Sequence, residues 1–346
     1  MPGVIKFTRQ TYTMCYPNVK SYALEKTKKN KALVTSGGCA INMYPSDLQY
    51  DLGTKSCDQR NMNRTMIIAQ ISDLHIGHEG KGKTCKNTQR LKTVVRTLTE
   101  LRRKPDVLVI TGDLVEYGEV WAYEALKEAL SPIEFPIHMA FGNHDNREAF
   151  KKVYPDTRYT DGFFQYTLED GPVRIIVLDT LEEGRHGGSF CETRALWLER
   201  ELDKQPDRPT LIALHHPPIK TGIGWLSADP SDDWVKRLKH VISKYDNVEH
   251  IMAGHIHRAI FKSFAKTSLS VTDAIAIQSK LELADIDPDI PDGRGLFVDS
   301  RPGFCLQYWD GESFTTHSGQ SPCGKTLIHF NEKHSHVVKH TMDIGL

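Results

Sequence analysis

Side chains that can bind metal ions recur in this sequence where short apolar runs end. The runs "MIIAQIS", "DVLVIT", "PIHMAF", "PTLIAL" and "VEHIMA" are each followed, directly or after one glycine, by Asp, Asn or His residues. In α/β proteins the loops at the carboxyl ends of the strands converge, so groups placed there can meet around one ligand. We therefore predict a shared metal site whose candidate ligands are Asp73, His75, Asp113, Asn143, His215, His255 and His257.

The stretch "HIMAGHIHRAI", residues 250–260, contains the pattern in a simple form. His255 and His257 are separated by one residue, and on an extended backbone such side chains project to the same side. Two histidines alone are weak grounds for a site, since the chain contains sixteen. Glycines precede three of the five groups, at Gly112, Gly142 and Gly254, where a sharp exit from a strand or a close backbone approach requires them.

The donor types indicate which metals the site would bind. Imidazole, carboxylate and amide oxygen without thiolate suit Mn, Fe, Zn or Co and argue against a soft structural site. Seven donors are too many for one tetrahedral ion, but they suit two divalent or trivalent ions about 3.5–4 Å apart with a bridging carboxylate. Such a pair activates a bound water and holds the oxygens of a phosphoryl group during in-line displacement. The donor set therefore predicts phosphoryl chemistry.

The elements that must position these residues follow from the periodicity of the chain. From Met66 onward, apolar runs of strand length alternate with amphipathic segments of helix length, which is typical of helices layered on sheets. The segments "TQRLKTVVRTLTELRR" and "DDWVKRLKHVISKY" each place apolar residues on one helical stripe, which predicts helices that face the core. Near the end, the Asp310-Gly311 step in "FCLQYWDGESFTT" predicts a tight antiparallel hairpin.

The charge balance and the cysteines limit the class of protein. Lys plus Arg equals Asp plus Glu at 44 each, so no basic field indicates nucleic acid as an obligatory partner. The seven cysteines are scattered and odd in number, which argues against a disulfide framework or a zinc ribbon. The sequence has neither an apolar run of about 18 residues nor the apolar part of a secretory signal, so we expect no membrane segment and a cytoplasmic protein.

The first 65 residues differ from the rest of the chain. They carry ten Lys and Arg against four Asp and Glu and have no sustained period of 2 or 3.6. We interpret residues 1–65 as a poorly ordered basic extension, residues 66–320 as the catalytic domain and residues 321–346 as a C-terminal tail. A basic arm could bind nucleic acid or address the protein to an organelle, but a solvated tail or an upstream start-site artefact is the simpler interpretation.

Five motifs in chain order, "DLH", "GDLVEYG", "GNHD", "HHPP" and "GHIH", resemble those of the calcineurin-like metallophosphoesterases. The strand spacing and the stretch "HHPPIKTGIGW" look most similar to the bacterial class III cyclic nucleotide phosphodiesterases and the related glycerophosphodiesterases. The resemblance covers residues 66–320. It implies an α/β fold, a four-layer α/β/β/α sandwich in which helices flank two mixed sheets, and a homodimer or higher homo-oligomer as in this branch.

The same resemblance implies a role for each site residue. One ion would be held by Asp73, His75 and His257, the second by Asn143, His215 and His255, and Asp113 would bridge the two. His144 would lie beside the scissile phosphate and either protonate the leaving oxygen or stabilise the developing charge. Asp145 would orient His144, although an ordinary turn residue is an equally good interpretation of Asp145.

The function implied in this way is that of a dinuclear phosphodiesterase, in which metal-bound hydroxide attacks the phosphorus of a small phosphodiester. Its substrate classes are 3′,5′-cyclic nucleotides such as cAMP and glycerophosphodiesters, with 2′,3′-cyclic nucleotides also open. The alternatives are a phosphomonoesterase of the same fold and a regulatory module that binds metal or nucleotide without turnover. Outside the implied ligand set, we expect His216 to pack or to support a ligand and Asp179 to be structural.

Overall fold

The computed structural model describes residues 64–82, 85–157 and 159–342, together with five short strands nearer the N-terminus. These strands are β1 (Val4–Phe7), β2 (Gln10–Thr13), β3 (Ala23–Lys26), β4 (Ala32–Ser36) and β5 (Cys39–Met43). They form a β1-β2 pair and a β3-β4-β5 sheet, both antiparallel, within a unit that spans Met1–Arg60. The predicted poor order of residues 1–65 falls largely outside the described residues and stays a prediction.

Two mixed sheets form the centre of the second unit, Asn61–Leu346. Its strands are β6 (Met66–Ile71), β7 (Val107–Thr111), β8 (Ile137–Ala140), β9 (Tyr166–Leu168), β10 (Arg174–Val177), β11 (Thr210–Ala213), β12 (Val248–Ala253), β13 (Ile260–Phe264), β14 (Thr267–Val271), β15 (Gln278–Ser279), β16 (Phe297–Val298), β17 (Gly303–Trp309) and β18 (Phe314–Gln320). One sheet has the order β18-β17-β6-β7-β8 and the other the order β13-β14-β12-β11-β10-β9, while β15 pairs with β16. The strands β17 and β18 form the hairpin predicted around Asp310-Gly311.

Helices cover the outer faces of both sheets. They are α1 (Lys86–Glu100), α2 (Val120–Leu130), α3 (Arg147–Val153), α4 (Glu192–Lys204) and α5 (Asp233–Ile242). A further helix, α6 (Ser335–Thr341), has no buried residue, and 3₁₀ turns lie at Gly224–Leu226 and Glu332–His334. The two predicted amphipathic helices are confirmed as α1 and α5, and the stripe of α1 that contains Leu91, Val94 and Leu98 is buried. Within the described chain, none of the helices is both long and apolar enough to cross a membrane.

Alternating side chains along the central strands separate three apolar layers. In β7, Leu108 and Ile110 pack toward α1, α2 and α3, whereas Val109 points to the space between the sheets. In β11, Ile212 packs toward α4 and α5, whereas Leu211 points to the same inner space. Strands buried on both faces fit the continuous apolar runs of the sequence. The result is a four-layer α/β/β/α sandwich, and it confirms the predicted fold.

Candidate metal centre

The loops that follow β6, β7 and β12 bring four predicted ligands into one cluster. One ligand atom from each of Asp73, His75, Asp113 and His257 lies within 4.8 Å of the others. His75 Nε2 is 3.1 Å from His257 Nε2, which in turn is 3.4 Å from Asp73 Oδ1. We call Asp73, His75 and His257 the first half of the site.

The loops after β8, β11 and β12 supply the second half of the site, which consists of Asn143, His215 and His255. His215 Nε2 lies 3.3 Å from Asn143 Oδ1 and 3.2 Å from His255 Nδ1. Asp113 Oδ2 lies 3.5 Å from His75 Nε2 and 3.3 Å from His215 Nε2, so this carboxylate contacts both halves. All seven residues predicted as ligands are therefore brought together, and nitrogen and oxygen donors in two sets that share one carboxylate fit a pair of metal ions.

Most of these residues have an unusual backbone conformation. Of the eight non-glycine residues with positive φ in the described chain, five are predicted ligands. Such angles cost of order 1–3 kcal/mol each and persist only where the surrounding structure enforces them. The fold therefore holds the donors in place before any ligand binds. The five residues are Asp73 at 53°, His75 at 46°, Asp113 at 49°, His255 at 72° and His257 at 54°.

The three glycines noted in the sequence allow this crowding. Gly112 has a φ of 92°, and a Cβ at this position would overlap the ring of His215. A Cβ at Gly142 would overlap the carboxylate of Asp113, and one at Gly254 would overlap the hydroxyl of Ser72. The predicted reasons for glycine are thus both present, namely an unusual angle at Gly112 and close approach at all three positions.

Hydrogen bonds fix the orientation of three of the four imidazoles. In each of the three rings Nδ1–H donates to an oxygen outside the cluster, which leaves the lone pair of Nε2 facing the centre. The partners are the Glu116 carboxylate for His75 at 2.7 Å, the Thr111 carbonyl for His215 at 2.8 Å and the Ile277 carbonyl for His257 at 2.7 Å. His255 differs, because its Nδ1 is the nitrogen that faces His215.

The buried carboxylates of the centre remain charged. Burial alone would raise the pKa of Asp113, but His215 and His75 outweigh it and hold that pKa well below its ordinary value. Burial also opposes the charge on Asp73, and His257 lowers the pKa of this carboxyl. The reciprocal effect of Asp113 overcomes the burial of His215 and raises its pKa to about 9. The centre thus favours positive charge beside its carboxylates, which imidazolium or metal cations can supply.

Glu116 is a site residue that the sequence reasoning missed. Besides its contact with His75, its carboxylate lies 3.6 Å from His78 Nδ1 and 3.8 Å from His144 Nδ1. Its backbone carbonyl accepts a hydrogen bond from His144 Nδ1–H at 2.9 Å. A parallel bridge between Ile76 and Val115 aligns the two loops that carry these groups. The position of Glu116 inside "GDLVEYG", three residues after a ligand, was the available signal.

The contacts of Asp145 fit the second of its two interpretations, that of an ordinary turn residue. Its carboxylate accepts hydrogen bonds from Gly142 N at 2.9 Å, Leu114 N at 3.2 Å and the Tyr123 hydroxyl at 3.0 Å, and it does not orient the ring of His144. Asp145 instead binds the backbone of the turn that carries Asn143 and His144. The physical reason is that the turn directs these N–H groups toward its carboxylate, while the Glu116 carbonyl takes the His144 ring.

Residues 274–279, which we call the strap, lie across the first half of the site. Ala276 N donates to the Asp73 carbonyl and Ser279 N to the His257 carbonyl, both at 3.0 Å. The side chain of Arg90 in α1 also binds the backbone of the strap. The Arg90 guanidinium donates to the carbonyls of Ile275, Ala276 and Ser300 at 2.5, 2.7 and 2.5 Å. The strap therefore supports two ligands whose backbone angles are strained.

His216 lies close to the second half but is held by other partners. Its Nδ1 is 2.8 Å from the Thr180 hydroxyl and its Nε2 is 3.2 Å from the His186 carbonyl, so both ring nitrogens are engaged. It lines, with His255, Trp225 and other residues, a cavity of about 560 Å³ that adjoins the centre. These contacts fit the packing or supporting role predicted for His216, and one ring nitrogen of His216 also lies within 4.8 Å of ring nitrogens of His215 and His255. Asp179 is likewise structural, because its carboxylate binds Arg147 and the backbone N–H groups of Phe164 and Leu181.

Comparisons with known proteins agree with this geometry. The family model described as calcineurin-like phosphoesterase matches residues 66–259. A probable glycerophosphodiester phosphodiesterase of Arcobacter nitrofigilis is 32% identical over 260 residues, which cover 73% of this chain and 92% of that protein. A 3′,5′-cyclic-nucleotide phosphodiesterase of Nostoc sp. is 31% identical over 200 residues, which cover 57% of this chain and 74% of that protein.

Among solved structures, a dimetal phosphatase from Danio rerio is similar in fold. The two chains superpose with a TM-score of 0.51 at 14% identity, and the match covers 72% of this chain and 98% of the phosphatase. At this identity the likeness supports the sandwich architecture alone.

Proposed function

The chain belongs to the calcineurin-like phosphoesterase family, and we propose that it is a two-metal phosphodiesterase that hydrolyses small phosphodiesters. The observation that carries the proposal is the pair of donor sets that share the Asp113 carboxylate. Relatives that are named as glycerophosphodiester and cyclic nucleotide phosphodiesterases support the choice of a diester over a monoester. The substrate classes are accordingly 3′,5′-cyclic nucleotides such as cAMP and glycerophosphodiesters.

Each half of the site would hold one ion of Mn, Fe, Zn or Co. The first half offers His75 Nε2, His257 Nε2 and the Asp73 carboxylate, and the second half offers the donors of Asn143, His215 and His255. Asp113 would be the shared ligand. Two such ions, when bound, supply a nucleophile at neutral pH and neutralise the charge on phosphate oxygens.

His144 is the residue proposed to contact the reacting diester. Its ring is partly exposed, with 29% of the side chain accessible, whereas the rings of the ligands are buried. Because a carbonyl can only accept, the bond to Glu116 O assigns the proton of neutral His144 to Nδ1. Nε2 is then free to face substrate, and in the charged ring it donates a proton to the leaving oxygen or a hydrogen bond to a phosphate oxygen.

The cavity beside the second half gives room for a group attached to the phosphate. Its volume of about 560 Å³ exceeds what a lone phosphate needs, and its mostly polar lining also contains Trp225 and Trp234, against which an organic substituent can pack. This supports a diester with a sizeable alcohol or nucleoside part.

The proposal is tested with bis(p-nitrophenyl) phosphate in the presence of Mn²⁺. We expect hydrolysis by the full chain, and Asp113→Ala should reduce it by roughly 1,000-fold, or about 4 kcal/mol of transition-state stabilisation. His240→Ala, at an exposed position of α5, is the matched control and should leave the rate unchanged. Full activity in Asp113→Ala would refute the assigned centre.

The competing functions are separated by further substrates. A faster rate on p-nitrophenyl phosphate than on the bis ester would identify a phosphomonoesterase. No turnover of any diester by a metal-replete sample, tested on cAMP, 2′,3′-cyclic nucleotides and glycerophosphodiesters, would indicate a regulatory binding module.

A further inference from the structure

Histidines are concentrated in a segment that the phosphodiester site does not use. Four of the sixteen histidines of the chain lie within "HFNEKHSHVVKH", residues 329–340. The segment contains the 3₁₀ turn Glu332–His334 and helix α6, Ser335–Thr341. Short tracts rich in histidine are typical of metal-binding sequences. Chelation requires that the helix place at least two of these rings on the same face.

Two of the histidines have the spacing that a helix needs for a shared ligand. His336 and His340 both lie in α6, four residues apart, so their Cβ atoms are on one face about 5–6 Å apart. Both residues are exposed. Among contacts within the described part of the chain, neither ring has a hydrogen bond or an ion pair, so its nitrogens are available. By contrast, His334 directs Nδ1 to the His329 carbonyl at 3.2 Å.

We propose that His336 and His340 form a surface site for a borderline divalent transition cation such as Zn²⁺, Ni²⁺ or Cu²⁺, separate from the candidate metal centre. Imidazole nitrogens suit these ions, and the same i, i+4 pair of histidines supplies two zinc ligands in helical metal motifs. Hard cations such as Mg²⁺ and Ca²⁺ require oxygen ligands, which the pair does not offer.

The two metal sites can be told apart by accessibility. The imidazoles of the candidate metal centre, at His75, His215, His255 and His257, belong to residues that are at most 8% exposed. Such rings cannot reach an ion that is held on a chromatography resin, whereas exposed rings of α6 can. Retention on immobilised Ni²⁺ therefore reports surface histidines whatever the state of the buried centre.

The experiment is chromatography of the full chain, without a histidine tag, on immobilised Ni²⁺ at pH 7.5 with an imidazole gradient. We expect late elution of the natural sequence and loss of that retention in the variant that combines His336→Ala with His340→Ala. The matched control combines His340→Ala with Thr341→His, which keeps the number of histidines but places the two rings about 140° apart around the helix and makes no i, i+3 or i, i+4 pair with His334. This control should elute with the double alanine variant.

Two results would overturn the proposal. The first is elution of the Thr341→His control as late as the natural sequence, because retention would then depend on the number of histidines and not on their spacing. The second is unchanged retention of the double alanine variant. The single variant His240→Ala measures the contribution of an exposed histidine elsewhere and should not change the elution. Equal hydrolysis of a diester by all variants verifies that each is folded.

Discussion

The two halves of the candidate metal centre are built from similar donors but are supported differently. In the first half, Asp73 contributes its own negative charge, and a second carboxylate, Glu116, accepts from His75. In the second half, the three donors are amide and imidazole groups that carry no negative charge, and His215 is held by the backbone carbonyl of Thr111. Asn143 is also less buried than the ligands of the first half.

This difference predicts that one half binds its ion more tightly and that the other half is open to substrate. Opposite charges attract a cation more strongly than dipoles do at the same distance, so the first half should bind its ion more tightly. The strap adds backbone support to that half alone, through the carbonyls of Asp73 and His257. The second half, which adjoins the cavity and the partly exposed His144, is the half that a substrate can reach.

Among substitutions confined to one half, the largest loss of hydrolysis is expected when a predicted ligand of that half is removed. His257→Ala should lose the first-half ion and His255→Ala the second-half ion, and each should lower hydrolysis by roughly 100-fold or more, since even outer partners of ligands are worth about 10–100-fold. Metal content measured on the purified variants should fall from about two ions to about one. Loss of both ions in each single variant would contradict the division into halves.

A smaller effect is expected at Glu116, which supports the first half without binding the ion. Glu116→Gln keeps an oxygen acceptor near His75 Nδ1 but removes its charge, so the affinity of the first half should fall by about 10-fold while that of the second half is unchanged. Metal titration of the apo protein measures both affinities. Glu124→Gln, at an exposed position of α2, is the control.

The Glu116 carboxylate also lies 3.8 Å from His144 Nδ1, a contact that the substitution changes, whereas the hydrogen bond from His144 to the Glu116 backbone carbonyl is retained. The comparison of metal affinity with kcat therefore separates its two contacts. A fall in kcat at saturating metal, with unchanged affinity in both halves, would assign the importance of this side chain to His144 and not to the first half.

The convergence of the seven predicted ligands could be expected from the sequence, because each lies within a few residues of the end of an apolar strand and the rule for strand ends is local. The roles of Glu116, Arg90 and the strap could not be predicted from the sequence, because these roles depend on contacts between segments that lie far apart in the chain. The positive φ angles of Asp73 and His257 have no sequence signal either, since neither residue is glycine. The sequence left two interpretations of Asp145 open, because adjacency to His144 does not show which groups its carboxylate contacts.

The smallest effect is expected at Arg90, which reaches the first half only through the strap. Arg90→Met keeps the aliphatic stem and removes the donors to three carbonyls, so the folded state should lose about 1–3 kcal/mol. Because the strap would then hold the backbones of Asp73 and His257 less firmly, the metal affinity of the first half should fall by a few-fold, which is less than in Glu116→Gln.

Arg96→Met, at an exposed position of the same helix, is the matched control. Metal titration and thermal unfolding of the apo protein distinguish the outcomes. An equal loss of affinity in both halves would mean that Arg90 stabilises the whole sheet edge, and support by the strap would no longer explain the difference between the halves.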